Sequence, residues 1–162
     1  MSVDQGPARP ETDIQRADRR YGDLLQELRV AQTGVQFLFA FLLTLAFTDR
    51  FESITDFQQS IYIGTLLVTV AAAALLIGPV PLHRMLFRRG LKPQLVIGTD
   101  RLARGGLALL VVAVNGAVLL ILDVVIGGAV AYLLTAATTL WFVIFWYGVP
   151  LLVVRHHEPG PD

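Results

Sequence analysis

The side chains of this sequence that could do chemistry away from water are few, and they interrupt long apolar segments. Gln32 and Gln36 lie in the first such segment, Asn115 lies near the centre of the third, and Asp123 stands at its end. In a segment that crosses a bilayer, lipid offers these groups no hydrogen bond, so they must bind a neighbouring helix, reach water or contact a transported ion. Asn115 is predicted to bond to a neighbouring helix, with a substrate contact as the alternative. Asp123 is predicted to be hydrated or to cap the following helix, with a proton or cation site as the alternative.

The two glutamines begin a line of small or polar residues spaced by four, at positions 32, 36, 40, 44 and 48. Residues four apart share a helix face. The line therefore predicts a ridge that packs against another helix, and a polar cavity lined by Gln32 and Gln36 is the alternative. Ala113 and Ala117 form a small-xxx-small pair of the kind that lets two helices approach closely.

A basic group lies between the second and third apolar segments and consists of Arg84, Arg88, Arg89 and Lys92. Each basic residue near an anionic membrane surface gains roughly 1 kcal/mol, so the group is a candidate contact for anionic lipids. The same residues serve as a topology signal, and the two interpretations are compatible. Apolar residues alternate with the basic ones over residues 82–89, which predicts a short interfacial helix.

Several kinds of chemistry are excluded or unsupported. The sequence has no cysteine, which excludes disulfides and thiol catalysis, and its histidines (His83, His156 and His157) form no ligand set. No nucleotide-binding, serine-hydrolase or zinc-protease motif is present. The sequence therefore predicts a protein that is not an enzyme and has no cofactor, no metal and no nucleic-acid partner.

The elements that must position the polar residues are long apolar helices. The chain is 54% hydrophobic and 16% charged, with a mean hydropathy of +0.61. Residues 30–48 carry no charge, and at about 1.5 Å per residue they nearly match the roughly 30 Å thickness of the hydrocarbon layer. The prediction is an all-α membrane protein with a bundle of four transmembrane helices. The predicted spans cover about 30–48, 57–80, 102–122 and 129–154.

The remaining segments are polar. Residues 1–12 are predicted to be a disordered tail, and residues 155–162 form a second, C-terminal tail. Residues 13–29 show the apolar spacing of an amphipathic helix, which either lies on the membrane surface or continues into the first span, with Gly22 as a candidate bend. Thr99 is expected to cap the third span. Gly127 and Gly128 permit a tight turn before the fourth.

Orientation follows from the arginines and lysine. Every basic residue except Arg50 falls in the N-terminal segment, the middle loop or the C-terminal tail. Because basic loops remain in the cytoplasm, both termini are predicted to be cytoplasmic in a multi-pass protein of a bacterial plasma membrane.

Two stretches carry a resemblance to a known group of proteins. ELRVAQTGVQFLFAFLLTLAFTDRF at 27–51 and GPVPLHRMLFRRGLK at 78–92 are similar to an uncharacterised family of small four-helix membrane proteins found in actinobacteria. The resemblance extends from about Asp23 to Val154. It implies four spans and no known activity, although some members carry an automatic label of sodium:proton antiporter.

Three functions follow as hypotheses. The first is a non-enzymatic scaffold or accessory subunit, with the lipid bilayer and either further copies of the chain or another membrane protein as partners. The second is a component of a cation or proton transporter that uses Gln32, Gln36, Asn115 and Asp123. The third is a regulator that senses anionic lipid through the basic group.

Overall fold

The computed structural model describes residues 12–81 and 92–148, and this part of the chain is helical, without strands. Its α-helices are α1 (Asp13–Leu45), α2 (Asp56–Ile77), α3 (Lys92–Val125) and α4 (Gly128–Val143). A short 3₁₀ helix (Asp49–Ser53) joins α1 to α2, and a π-helical turn (Ile144–Gly148) follows α4. Several predictions lie outside the described residues: the tail over 1–12 except for Thr12, which is the N-cap of α1, the tail over 155–162, the interfacial helix, and the side chains of Arg84, Arg88, Arg89 and Lys92.

Four helical segments are long and apolar enough to cross a membrane, and each includes all or most of one α-helix. These segments are Gly22–Leu45, Asp56–Pro81, Gly98–Val125 and Gly128–Trp146, of which the second and the fourth extend past the ends of α2 and α4. The prediction of an all-helical protein with four helices of membrane-spanning length is confirmed.

Helix α1 runs without interruption from the polar N-terminal segment into the first apolar segment. It begins at a capping box in which the Thr12 hydroxyl accepts from the backbone N–H of Gln15 and the Gln15 side chain accepts from that of Thr12. The candidate bend at Gly22 does not interrupt the helix, and open space surrounds this residue. Of the two predicted courses for residues 13–29, the structure has the one that continues into the span.

Helices α2 and α3 pack closely along their lengths. The buried residues of α2 recur at alternating steps of three and four, and those of α3 follow the same pattern except for one step of seven, from Gly106 to Ala113. This spacing is typical of helices that pack side by side at a small crossing angle. The buried positions are Tyr62, Thr65, Thr69, Ala72 and Leu76 on α2, and Thr99, Ala103, Gly106, Ala113, Ala117 and Leu120 on α3.

Glycines set the separation of these two helices. A Cβ atom at Gly106 would lie 2.7 Å from Cγ of Leu76, and one at Gly116 would overlap Oγ1 of Thr65. Ala113 and Ala117, the predicted small-xxx-small pair, are both buried. At both glycines the partner helix fills the space that a Cβ atom would need.

Helix α1 packs against α2 and α3 through residues spaced by seven: Leu28, Val35 and Leu42. Leu28 and Val35 join the buried cluster around Leu76, at what we call the Pro79 end of the helices. Leu42 joins Tyr62 and Leu120 at the opposite, Asp56 end. There the Tyr62 hydroxyl donates to the carbonyl of Leu42 over 3.0 Å, which links α2 to α1.

The predicted ridge at positions 32, 36, 40, 44 and 48 does not pack as one surface. Gln32 is half-buried, whereas Gln36, Ala40 and Thr44 are exposed. Four residues of α-helix turn through about 400°, so each step moves the ridge by about 40° around α1. A step of seven residues moves the position by only about 20°, in the opposite sense. The line through Leu28, Val35 and Leu42 therefore stays on the buried face of α1, whereas the residues of the ridge move round to the exposed face.

Helix α4 is the least buried, and Ala131 is its only residue assigned to the interior. It packs mainly on α3, with Phe57 of α2 and Tyr132 also in aromatic contact at 6.3 Å between ring centres. The turn that joins α3 to α4 contains the predicted glycines, which have φ angles of 70° at Gly127 and 65° at Gly128. Side chains with a Cβ rarely adopt such angles.

Thr99 does not cap the third span. Helix α3 begins earlier, at Lys92 with Pro93 in its first turn, a position that proline favours. Thr99 consequently lies inside the helix, in line with Ala103 and Gly106 on the face that packs inward. It is fully buried, and its hydroxyl has no hydrogen-bond partner within residues 12–81 and 92–148.

Candidate functional site

Asn115 lies at the contact between α3 and α4. Its Nδ2 donates to the carbonyl of Val111, one turn earlier in α3, over 2.8 Å. Its Oδ1 accepts from the hydroxyl of Thr138 over 3.1 Å and from that of Thr139 over 2.9 Å. The Val111 carbonyl can only accept, so it fixes which end of the Asn115 amide faces α4.

The two threonines have alternative acceptors. Both hydroxyls also lie within hydrogen-bond distance of the carbonyl of Thr135, at 2.8 Å for Thr138 and 2.9 Å for Thr139. A hydroxyl has one proton to donate. The hydroxyl of each threonine therefore donates either to Oδ1 of Asn115 or to the Thr135 carbonyl of its own helix. The cluster is suited to hold two helices together while it leaves no polar group in need of an external ligand.

An open apolar groove lies beside this cluster, between α3 and α4. It has a volume of about 530 Å³. Its lining residues are Val118, Leu122, Leu134, Ala137, Thr138, Trp141 and Phe142. The groove presents hydrocarbon surface and no charged side chain, so it suits an apolar occupant and not an ion.

Asp123 belongs to a separate polar cluster at the Asp56 end. Its Oδ2 accepts from Nε2 of Gln58 over 2.9 Å. Gln58 also closes the capping box of α2, where its Oε1 accepts from the N–H of Thr55 over 3.1 Å and its own N–H donates to Oγ1 of Thr55 over 3.2 Å. Nearby, Arg50 donates to the carbonyl of Val124 over 3.4 Å.

This arrangement corrects one of the predictions for Asp123. The residue does not cap the following helix, because the N-cap of α4 is Gly127 and no side chain bonds there. An anion near the C-terminus of its own helix is disfavoured by the helix dipole, whereas one near the start of α2 is favoured. The contact with Gln58 places the Asp123 carboxylate beside that start.

Gln32 joins α1 to α2. Its Nε2 donates over 2.7 Å to the carbonyl of Leu76, in the last turn of α2. The last four carbonyls of a helix have no partner inside that helix. Gln32 therefore satisfies an acceptor that would otherwise lie unpaired at the Pro79 end.

The four predicted polar residues do not converge. Gln32 lies between α1 and α2, Asn115 lies between α3 and α4, and Gln36 is exposed on α1. Asp123 follows Asn115 by eight residues on α3, which is about 12 Å along the helix axis. Among the described residues, no three His, Cys, Asp or Glu side chains come together as a metal site.

Three side chains of these clusters have no role in the sequence-based predictions: Gln58, Thr138 and Thr139. A signal for Gln58 is present, because TDFQ at 55–58 has the Thr-x-x-Gln spacing of a capping box. Its second bond, to a residue 65 positions later, has no local signal. The threonines are apparent in the fourth apolar segment, but their acceptor depends on how α4 is rotated against α3.

The comparisons with known proteins show the family of the chain and add no activity. No curated protein and no solved structure matches the sequence. A family of unknown function, DUF6328, matches residues 10–150 of the 162. The match includes all four apolar segments and both stretches, 27–51 and 78–92, that carry the resemblance. The chain belongs to this family of unknown function.

Proposed function

We propose that the protein is a non-enzymatic scaffold or accessory subunit of a bacterial plasma membrane, with both termini in the cytoplasm. Its helices form a bundle in this proposal, with the first turns of α1 and the basic segment at 82–89 as amphipathic elements at the cytoplasmic surface. The observation that carries the proposal is the unequal burial of the helices. Helix α4 contributes one interior residue, Ala131, although the segment that begins with it, Gly128–Trp146, is long and apolar enough to cross the membrane.

The contacts of α4 support a role in binding another membrane protein. Asn115 and Ala131 hold α4 against α3, and beyond them the groove stays open over about 530 Å³. In a membrane an open apolar groove is covered either by lipid chains or by another protein. The lining of this groove, which includes Leu134, Trp141 and Phe142, matches apolar side chains from a neighbouring transmembrane helix.

The test is a photo-crosslinking amino acid at Ala137, which lines the groove, in cells that express the full chain. A matched control carries it at Leu67 on α2, which is 63% exposed but does not line the groove. We expect a second polypeptide to crosslink at Ala137 and not at Leu67, and to leave the membrane with the chain in a fixed ratio after extraction in native lipid. Lipid alone at both positions would reject an accessory subunit that binds through this groove.

The second function is a component of a cation or proton transporter, and the antiporter label of some similar proteins implies the same function. The wide separation of the polar residues weighs against it. Transport would require Asn115 and Asp123 on one path. If it occurs, Asn115→Leu and Asp123→Asn abolish flux in proteoliposomes while the protein still inserts. We expect no flux in the unaltered chain.

The third function stays a prediction about the basic group. If the chain senses anionic lipid, neutralising Arg84, Arg88 and Arg89 weakens its association with anionic liposomes and leaves its helical content unchanged. Equal association of the neutralised and unaltered chains would reject this function.

A further inference from the structure

Gln36 differs from the other amides well inside the apolar segments. The side chains of Gln32 and Asn115 each bond another helix, whereas Gln59, whose side chain also bonds no described residue, lies in the first turn of α2 at the end of its segment. Gln36 lies within the uncharged residues 30–48, is exposed, and bonds no residue in the part of the chain that the structure describes. In a hydrocarbon environment an unpaired amide is costly, so this position calls for an outside partner.

The surface around Gln36 is prepared for close contact with another helix. Thr33, Gln36, Ala40 and Thr44 fall within about 80° around α1, and all of them are exposed. The hydroxyl of Thr33 donates to Arg29 and that of Thr44 to Ala40, each to a backbone carbonyl of α1 over 2.9 Å. These two bonds leave Gln36 as the one unsatisfied group of the surface, and Ala40 beside it is small enough for a close approach.

We propose that this surface, formed by Thr33, Gln36, Ala40 and Thr44, binds the same surface of a second copy of the chain. Both copies enter the membrane in one orientation, so a two-fold axis along the membrane normal places their Gln36 residues at equal depth. A carboxamide contains both a donor and an acceptor. Oε1 of each Gln36 therefore accepts from Nε2 of the other, and the contact is self-complementary as a two-fold interface requires.

A second copy fits these observations better than a different partner. A different membrane protein would have to present its own donor and acceptor at this depth, whereas a second copy always does. The pairing does not rest on the proposed accessory role, because that role uses the groove between α3 and α4 and the pairing uses α1.

The test is disulfide crosslinking, for which the chain has no native cysteine to interfere. Ala40→Cys lies on the proposed surface, and Phe41→Cys lies at almost the same depth but about 100° further around the helix. Under oxidation in native membranes we expect a disulfide-linked dimer of Ala40→Cys and little of Phe41→Cys. No dimer with either variant, or equal yields from both, would overturn the proposal.

The contribution of the amide is tested in the Ala40→Cys background. Adding Gln36→Leu removes both reciprocal bonds and should weaken dimerisation about tenfold, on the scale of interhelical polar contacts in membranes. Leucine keeps the segment apolar, so the variant still inserts. The matched control is Gln32→Leu, which removes the same amide one turn earlier but from a bond inside the chain, and it should leave the dimer yield unchanged.

Three results would count against the pairing. One is a dimer that survives Gln36→Leu undiminished. Another is a dimer lost equally with Gln32→Leu, because the dimer would then not depend on the amide at the proposed surface. The third is a disulfide or copurification pattern that links α1 to a different polypeptide, which would assign the surface to a hetero-complex.

Discussion

Gly116→Ala tests whether α2 and α3 are held at the separation that the structure shows. The added methyl group would overlap Oγ1 of Thr65 and lie 3.3 Å from its Cβ and Cγ2. Thr65 is buried and branched at Cβ, so it has few rotamers in a helix and turning χ1 exchanges one clashing atom for another. The strain must therefore move the helices apart.

The expected size of the effect follows from two opposing terms. Forcing an extra methyl group into a packed interface costs about 1–3 kcal/mol, whereas replacing a glycine by alanine in a helix returns about 0.5–1 kcal/mol. The net prediction is a loss of about 1–2 kcal/mol in the free energy of unfolding. Because Thr65→Ala removes the overlapping oxygen, the double variant should recover most of this loss, with a coupling energy of about 1–2 kcal/mol.

The assay is reversible unfolding in mixed micelles, followed by far-ultraviolet circular dichroism, for both single variants and the double variant. Gly64→Ala is the matched control, because it adds the same methyl group on α2, next to Thr65, with open space around it. It should be neutral or slightly stabilising. Equal stability of Gly116→Ala and Gly64→Ala, or additive effects of Gly116→Ala and Thr65→Ala, would refute the close contact of these helices.

Further substitutions test the polar contacts, each by the same unfolding measurement. Asn115→Leu should cost about 1 kcal/mol, since one interhelical contact is lost and the threonines of α4 keep their own acceptor; a loss no greater than the error would show that α4 is held without it. Gln58→Glu keeps the capping box but opposes two carboxylates, so it should destabilise the protein more than Gln58→Met at neutral pH, and Asp123→Asn in the same chain should reverse that difference. Thr99→Val removes a buried hydroxyl without a described partner, and should stabilise the protein by about 1 kcal/mol; a destabilised variant would reveal a hydrogen bond outside the described residues.

Structural features that depend only on residues close together in the sequence could be predicted from the sequence. Long uncharged segments predicted the four membrane-length helices, and Gly127 with Gly128 predicted a turn that needs positive φ angles. The capping boxes at 12–15 and 55–58 could also have been read from the spacing alone. Helix length, helix ends and turns follow from local propensity and hydropathy, so they need no knowledge of the fold.

The locations of the polar side chains were decided only by the tertiary structure. Gln32 and Gln36 look equivalent in the sequence, yet one bonds α2 and the other faces outward, because the packed face of α1 follows a repeat of seven and not of four. Asp123 meets Gln58, and Gly116 meets Thr65, only once α3 has a defined register against α2. Rotation and register are set by the whole set of packed side chains on two helices at once, and no short stretch of sequence contains that information.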